Sequence, residues 1–373
     1  MIPEKIPAAI TEADEALFDT ITSTRLSPDQ ERQVSEPERI FHQQENVLAI
    51  HWHPEFVPMP LINRRLETMY PDKRRSLIIP TQHNVITTCG DYAGVEIDCY
   101  SHGFNQKVQL LLHFIQSRLG KADLLKSILS HTFKYRASQL FDFIHTITKP
   151  VEARITAAAH ETGANAALID FTQIYVKKIS QLLETRGGAL PPEMIKNKIL
   201  RNFFDGLRGD YGDALIDRTQ TFLKAVKARV KAEFPLQYFY RTSEVIEEAR
   251  ALGAGIVIPH PEQFWPILLA DYDIDGIEVW NPQSRKYTEF LISVINQKNR
   301  CAGLSKRNLL IFMGDDTHMA EKTRAPEVQD PEKAGREIGY QPAWEDFSIR
   351  KALIRADVSR RKAIHEYKQR LGQ

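Results

Sequence analysis

Apolar residues along this chain fall into two spacing regimes. Six short runs, at residues 47–53, 76–83, 94–100, 255–260, 276–281 and 309–313, are rich in β-branched side chains and apolar at successive positions. Such runs predict strands covered on both faces, which points to a parallel sheet or barrel and not to an antiparallel sheet with one wet face. Each run ends in, or is followed by, a polar residue that a loop alone would not need. The segment at 242–252, TSEVIEEARAL, predicts a helix with acidic residues in its first turn and Gly253 in the position of a left-handed C-terminal cap, feeding the strand that starts at Gly255.

Between 101 and 240 the spacing becomes helical, as at Val108, Leu111, Leu112 and Ile115, or at Phe222, Ala225, Val226 and Val230. A mostly helical insertion is expected there, interrupting a barrel formed by 45–100 and 241–344. A cap over the strand ends is the role expected of it, since long insertions at the strand ends of barrels often shape the pocket. Residues 1–44 are polar, with Pro3, Pro7, Pro28 and Pro37 scattered among Ser, Thr and Glu, and read as an arm or a helix laid over the body, without chemistry. Residues 345–373 read as one last amphipathic, mildly basic helix.

Charge adds little direction. Lysine and arginine total 49 against 48 aspartates and glutamates, so the chain as a whole offers no electrostatic footprint for nucleic acid or an anionic membrane. Nucleic acid stays possible as a partner without being indicated. Residues 171–235 carry twelve Lys or Arg against seven Asp or Glu, which a solvated helix face accounts for. No apolar run approaches the roughly 18–20 residues of a spanning helix. Cys89, Cys99 and Cys301 form no CxxC pair, the usage of a reducing compartment, so a cytoplasmic protein is expected. No GxSxG elbow, GxxxxGK[ST] loop or GxGxxG turn is present.

The polar residues at the strand ends carry the candidate chemistry. His51 and His53 stand two apart, so on a strand both imidazoles point to one face. Asp316 and His318 repeat that spacing beyond the run at 309–313, and His83, Glu96 and His260 fall at or near the ends of three further runs. Carboxylate oxygen with imidazole nitrogen suits Zn, Mn or Fe, and the absence of cysteine ligands argues against a structural zinc site. In barrels the active site lies at the carboxyl ends of the strands.

These residues resemble the PHP (polymerase and histidinol phosphatase) family over roughly 46–100 and 236–320. The likeness rests on HWH at 51–53, QHN at 82–84, GVEI at 94–97, the stretch ending in His260, GIEVWN at 276–281 and GDDTH at 314–318, in the family's order. It implies an α/β fold, a distorted (β/α)7 TIM-like barrel, here with a helical insertion, and two or three divalent ions bound by His51, His53, His83, Glu96, His260, Asp316 and His318. The implied chemistry is phosphoester hydrolysis through a metal-bound hydroxide on a small phosphorylated metabolite or nucleotide. Glu96 or Asp316 would bridge ions, and His260 or His318 would protonate the leaving group. Two other readings stay open: an amidohydrolase-like enzyme acting on a C–N or C–O bond, and a catalytically decayed binding protein.

The sequence departs from the family at Ala49 and Gln82, where aspartates usually support ligands, so that support is expected to be weaker or rebuilt from elsewhere. The family also places a histidine between GVE and HP, and His102, His113, His131 and His160 all lie in that interval. Glu278 and Asn281 are expected to position other groups, and Arg285 or Lys286 could meet a phosphate.

Overall fold

The computed structural model describes residues 6–301, 307–326 and 329–372. All six apolar runs form strands. They contain β1 (Asn46–Ala49) with β2 (Trp52–His53), β3 (Arg75–Ile78), β5 (Tyr92–Ser101), β7 (Gly255–Ile258), β8 (Gly276–Trp280) and β9 (Leu310–Met313). Three more strands join them: β4 (Thr87–Cys89), β6 (Gln106–Ile115) and β10 (Thr317–His318).

The strands pair as one six-stranded sheet in the order β4-β5-β6-β7-β8-β9 and two two-stranded parallel sheets, β1 with β3 and β2 with β10. The large sheet is mixed. Its β4–β5, β5–β6 and β6–β7 pairs are antiparallel, and only β7–β8 and β8–β9 are parallel. The expectation of purely parallel pairing is therefore corrected, because strands covered on both faces read alike in either orientation.

The six strands do not stand apart from the two small sheets. Only Ile50 and His51 separate β1 from β2, and residues 314–316 separate β9 from β10. A single parallel bridge, His83 to Glu96, ties the chain after β3 to β5.

The helical spacing read at Val108, Leu111, Leu112 and Ile115 is also corrected: these residues belong to β6, paired over its whole length with β5. Val108, Leu110, Leu111, Leu112 and Phe114 are all buried. A run apolar on both faces cannot be assigned to helix or strand from periodicity alone. The turn from β5 to β6 closes on Asn105 at φ +48, a left-handed position that asparagine tolerates. The helix predicted before β7 forms as Thr242–Ala251, with Gly253 at φ +68.

Two compact units share the chain, and their boundaries differ from the expected ones. The helical unit comprises the described residues up to Arg25 together with Lys134–Pro235, and the strand-bearing unit comprises Leu26–Phe133 and Leu236–Gln373. In the helical unit, Glu12–Thr22, Tyr135–Thr148, Ala166–Arg186, Lys198–Gly206 and Asp213–Ala232 enclose an apolar core around Phe18, Phe171, Phe203, Phe204 and Phe222. The supposed N-terminal arm is thus divided. Phe18 and Asp14 are buried in the helical unit, whereas Pro28–Ser35 puts Val34 into the core beneath β1.

In the strand-bearing unit, Val95, Leu111, Ile256, Ile277 and Phe312 pack with Trp344, Ile349 and Tyr367. The C-terminal segment is two helices, Phe347–Arg355 and Arg360–Leu371, and not one. The break contains Asp357 at φ +55. No helix among the described residues is long and apolar enough to cross a membrane.

Candidate metal centre

His51 and His53 project from the β1–β2 strand, His83 follows β3, Glu96 lies on β5, His260 follows β7, and Asp316 and His318 occupy the β9–β10 continuation. Residues up to 267 positions apart in sequence meet here. Their donor atoms form three clusters, within each of which all ligand atoms lie within 4.8 Å: His53, His83 and His318; His51, His53 and Asp316; His51, Glu96 and His260. All seven residues expected from the sequence are brought together.

Glu96 connects the clusters. Its Oε1 lies 3.5 Å from His260 Nε2, and its Oε2 lies 2.5 Å from His83 Nδ1 and 3.6 Å from His53 Nε2. Asp316 Oδ1 faces His53 Nε2 and His318 Nε2 at 3.5 Å and His51 Nε2 at 3.6 Å. Separations of 3.5–3.6 Å exceed the 2.7–2.9 Å of a charge-assisted hydrogen bond. They match donors converging on one ion at about 2.0–2.2 Å each, which sit roughly 3–4 Å from one another.

The donors therefore suit divalent ions, and a second observation agrees. His51 Nε2, both ring nitrogens of His53 and His260 Nδ1 are buried without a hydrogen-bond partner. Each such atom costs about 1–3 kcal/mol if nothing satisfies it. Several together in one place are what an ion-binding site would leave behind.

Electrostatics prepares these atoms for cations. Burial opposes ionisation of Glu96, yet the surrounding His83, His260 and His53 outweigh it and hold the carboxyl well below its ordinary range. Burial likewise opposes ionisation of Asp316, and the neighbouring His318, His53 and His51 outweigh it and hold the carboxyl well below its ordinary range. Burial, helped by neighbouring His83 and His318, keeps His53 well below the usual imidazole range and hence neutral, the form that ligates.

His51 differs. Burial opposes its charge, but Glu278 beside it lifts its pKa to about 10. Glu278 Oε1 accepts from His51 Nδ1 at 2.9 Å, so Nε2 is the atom left to ligate and its proton competes with a cation. Glu278 Oε2 also accepts from the His260 amide at 2.8 Å and from Asn281 Nδ2 at 3.4 Å. Glu278 thus supports two of the clustered histidines at once. Room for it depends on Gly314, where a Cβ would lie 1.5 Å from Glu278 Oε1. Gln82 has a different use: its Oε1 accepts from the Glu55 amide at 3.2 Å, and Glu55 Oε1 lies 3.7 Å from His318 Nδ1.

Backbone strain gathers at the same place. Glu55, Asn84, His260 and Asp316 all have positive φ, at 53°, 55°, 28° and 46°. Such conformations cost of order 1–3 kcal/mol each and persist where surrounding structure enforces them.

None of the five histidines in the 101–240 interval joins the clusters, and His145 is exposed on the helix Tyr135–Thr148. His102 is exposed after β5, His131 bonds Tyr238 O at 2.9 Å, and His160 is exposed on the helix Glu152–Thr162 of the helical unit. His113 is buried on β6, where Nε2 donates to Ile50 O at 2.9 Å and Nδ1 accepts from Tyr367 Oη at 2.7 Å. Burial lowers its pKa to about 3. It is neutral when folded and free to protonate when unfolded, so acid favours unfolding from about pH 6.5 downward. We expect it to contribute up to about 1.4 kcal/mol per pH unit between roughly 6.5 and 3. Urea titrations across that range should show a shallower pH dependence for His113→Gln. An identical slope would contradict the assignment.

Arg285 and Lys286 are exposed in the turn after β8, with Lys286 Nζ over the Tyr287 ring at 4.8 Å. Asp315, Gln283 and Arg336, by contrast, have close partners in or beside the centre and were not singled out from the sequence. The doubled aspartate of GDDTH was a usable signal for Asp315. Arg336, twenty positions past Asp316, had none.

No protein-family model matches the sequence, and none of the curated proteins compared with it does. Among solved structures, the chain is similar to a protein from Bifidobacterium adolescentis provisionally named a metal-dependent phosphoesterase, with 16% identity and a TM-score of 0.44 over 86% of this chain and 97% of that one. A likeness of that size assigns neither fold nor activity, and the functional reading rests on the residues of the centre itself.

Proposed function

We propose that this chain is a metal-dependent phosphoesterase of the PHP type, acting on a small phosphorylated metabolite or nucleotide. The observation that carries the proposal is the convergence of five imidazoles and two carboxylates into three overlapping clusters with buried, unsatisfied ring nitrogens. As part of the same reading, β1 to β10 make up a distorted (β/α)7 barrel. Its ring would run through the β1–β3 and β2–β10 pairs and the His83–Glu96 bridge.

The clusters would hold two or three ions, and the mixed nitrogen and oxygen donors suit Zn, Mn or Fe. Bound ions of this kind supply Lewis acidity toward phosphoryl oxygens and lower the pKa of water toward neutrality. The chain's own residues supply the rest. Glu278 keeps His51 Nε2 turned inward, Glu96 presents one oxygen to each of two clusters, and the buried surroundings exclude bulk water. His83 and His318 are the partly exposed imidazoles of the set, with 20% and 21% of their side chains accessible, and mark the side from which substrate enters. Of the two histidines expected to return a proton to the leaving oxygen, His318 is the one solvent reaches; His260 is 6% exposed.

The test is metal content by plasma mass spectrometry on untagged protein purified without chelators, beside an Asp316→Ala/His318→Ala double variant. Two or three equivalents in the wild type, reduced in the variant, together with hydrolysis of phosphomonoesters, are expected. Cleavage of amides or carboxylic esters but not phosphoesters would transfer the reading to amidohydrolase chemistry. Absence of bound metal, with none taken up on addition, would overturn it.

A further inference from the structure

Asp316 has its two oxygens in different company. Oδ1 faces the three imidazoles, whereas Oδ2 accepts from Arg336 Nη1 at 2.9 Å and Gln283 Nε2 at 3.1 Å. The same Nη1 reaches the Asp316 carbonyl at 3.1 Å, and the Asp316 amide donates to His51 O at 2.9 Å. Arg336 therefore grips both the backbone and the side chain of a residue held at φ +46.

Its own position is prepared. The adjacent Glu337 accepts from Arg65 at 2.9 and 2.5 Å and from Lys322 at 2.6 Å, and all three side chains are buried. Arg65 also donates to Val34 O at 3.0 Å. Two and four residues past Glu337, the Gly339 amide and Gln341 Nε2 donate to Asp315 Oδ2 at 2.9 and 3.2 Å. The stretch 336–341 is thus a clasp closed over the doubled aspartate of the GDDTH motif.

A buried guanidinium next to an ion-binding carboxylate works against cation affinity by charge alone, so its presence there asks for a structural return. We propose that Arg336 is a positioning residue for the metal centre. With Gln283, it occupies Asp316 Oδ2 and so confines Asp316 to single-oxygen ligation through Oδ1, shared toward His51, His53 and His318. It also holds the left-handed backbone that aims Oδ1 inward. A carboxylate freed of this grip could turn and present both oxygens to one ion, or leave the cluster, and either change disturbs the His51, His53 and Asp316 cluster. Residues that support metal ligands in this way typically change affinity 10–100-fold when removed.

The inference rests on the metal-centre reading above, and the test separates the two. Apo-protein prepared by chelation is titrated calorimetrically with Mn²⁺ and, separately, Zn²⁺, for the wild type, Arg336→Met, Arg336→Lys and Gln283→Ala. Urea unfolding of each apo form accompanies the titrations. We expect Arg336→Met to lose roughly 10–100-fold in affinity for one equivalent, Arg336→Lys to recover part of it, and Gln283→Ala to shift the same step by less. A purely structural role would lower the apo unfolding midpoint and leave the affinity of the folded protein unchanged. Unchanged affinity and stoichiometry in Arg336→Met overturn the inference while the metal-centre reading stands. Should that variant not fold, Gln283, an exposed residue, decides the matter, and an unaltered titration for Gln283→Ala counts as refutation. A wild type that takes up neither ion overturns both.

Discussion

Glu96→Gln is expected to lower phosphoester hydrolysis by about a thousandfold, equivalent to about 4 kcal/mol of transition-state stabilisation, and to remove at least one metal equivalent. The substitution preserves shape and changes only charge and donor character. Glu96 presents Oε1 toward His260 and Oε2 toward His83 and His53, so it serves two clusters at once. An amide carries no net charge and turns one of its two oxygens into an N–H donor that cannot ligate. It also leaves the imidazoles around it without the anion that balances them. The measurement pairs steady-state hydrolysis of a phosphomonoester with metal analysis of the same preparation. Full metal occupancy with activity within threefold of wild type would sink the bridging role.

In the helical unit the largest effect is expected at a buried ion pair. Lys178 Nζ donates to Asp14 Oδ2 at 2.8 Å, and both side chains are almost wholly buried. Asp14 also accepts from the Thr11 amide and hydroxyl at 2.9 and 2.7 Å, closing the N-terminal capping box of the helix Glu12–Thr22. Burial opposes the Asp14 charge, yet Lys178 and Thr11 outweigh it and lower its pKa. Removing one partner leaves a buried charge unpaired, so Lys178→Ala is expected to destabilise this unit by about 3–5 kcal/mol. Replacing both together, as Asp14→Leu with Lys178→Met, should recover most of that loss, because well-packed apolar groups substitute for such pairs at little cost. Urea unfolding of the full-length chain followed by circular dichroism reads both. A loss under 1 kcal/mol for the single variant would mean that water reaches the pair.

The effects differ in how far the sequence anticipates them. Glu96 is legible because a carboxylate inside the run GVEI has no reason to be buried except a ligand or a partner. The pair of Lys178 and Asp14 is not legible: one residue sits in a charge-rich helix and the other in a segment read as a polar arm. Val34 and Phe18 show the same limit, since isolated apolar residues among polar ones do not announce which core they enter.

What the sequence by itself determined is local. Continuous apolar runs and β-branching marked six strands, two-residue spacing put His51 with His53 and Asp316 with His318 on common faces, and acidic residues followed by Gly253 marked the helix before β7. These features depend on backbone geometry within a few residues, which side-chain type controls directly. Tertiary structure alone decided the rest. It set the antiparallel pairing of β5 with β6, partnered His51 with Glu278 from 227 positions away, committed His113 to Ile50 and Tyr367, and brought Arg336 onto Asp316. A strand buried on both faces carries no mark of its neighbour's direction. A buried polar side chain carries no mark of its partner, because hydrogen bonding and desolvation are settled by whatever the folded chain places within about 3 Å of it.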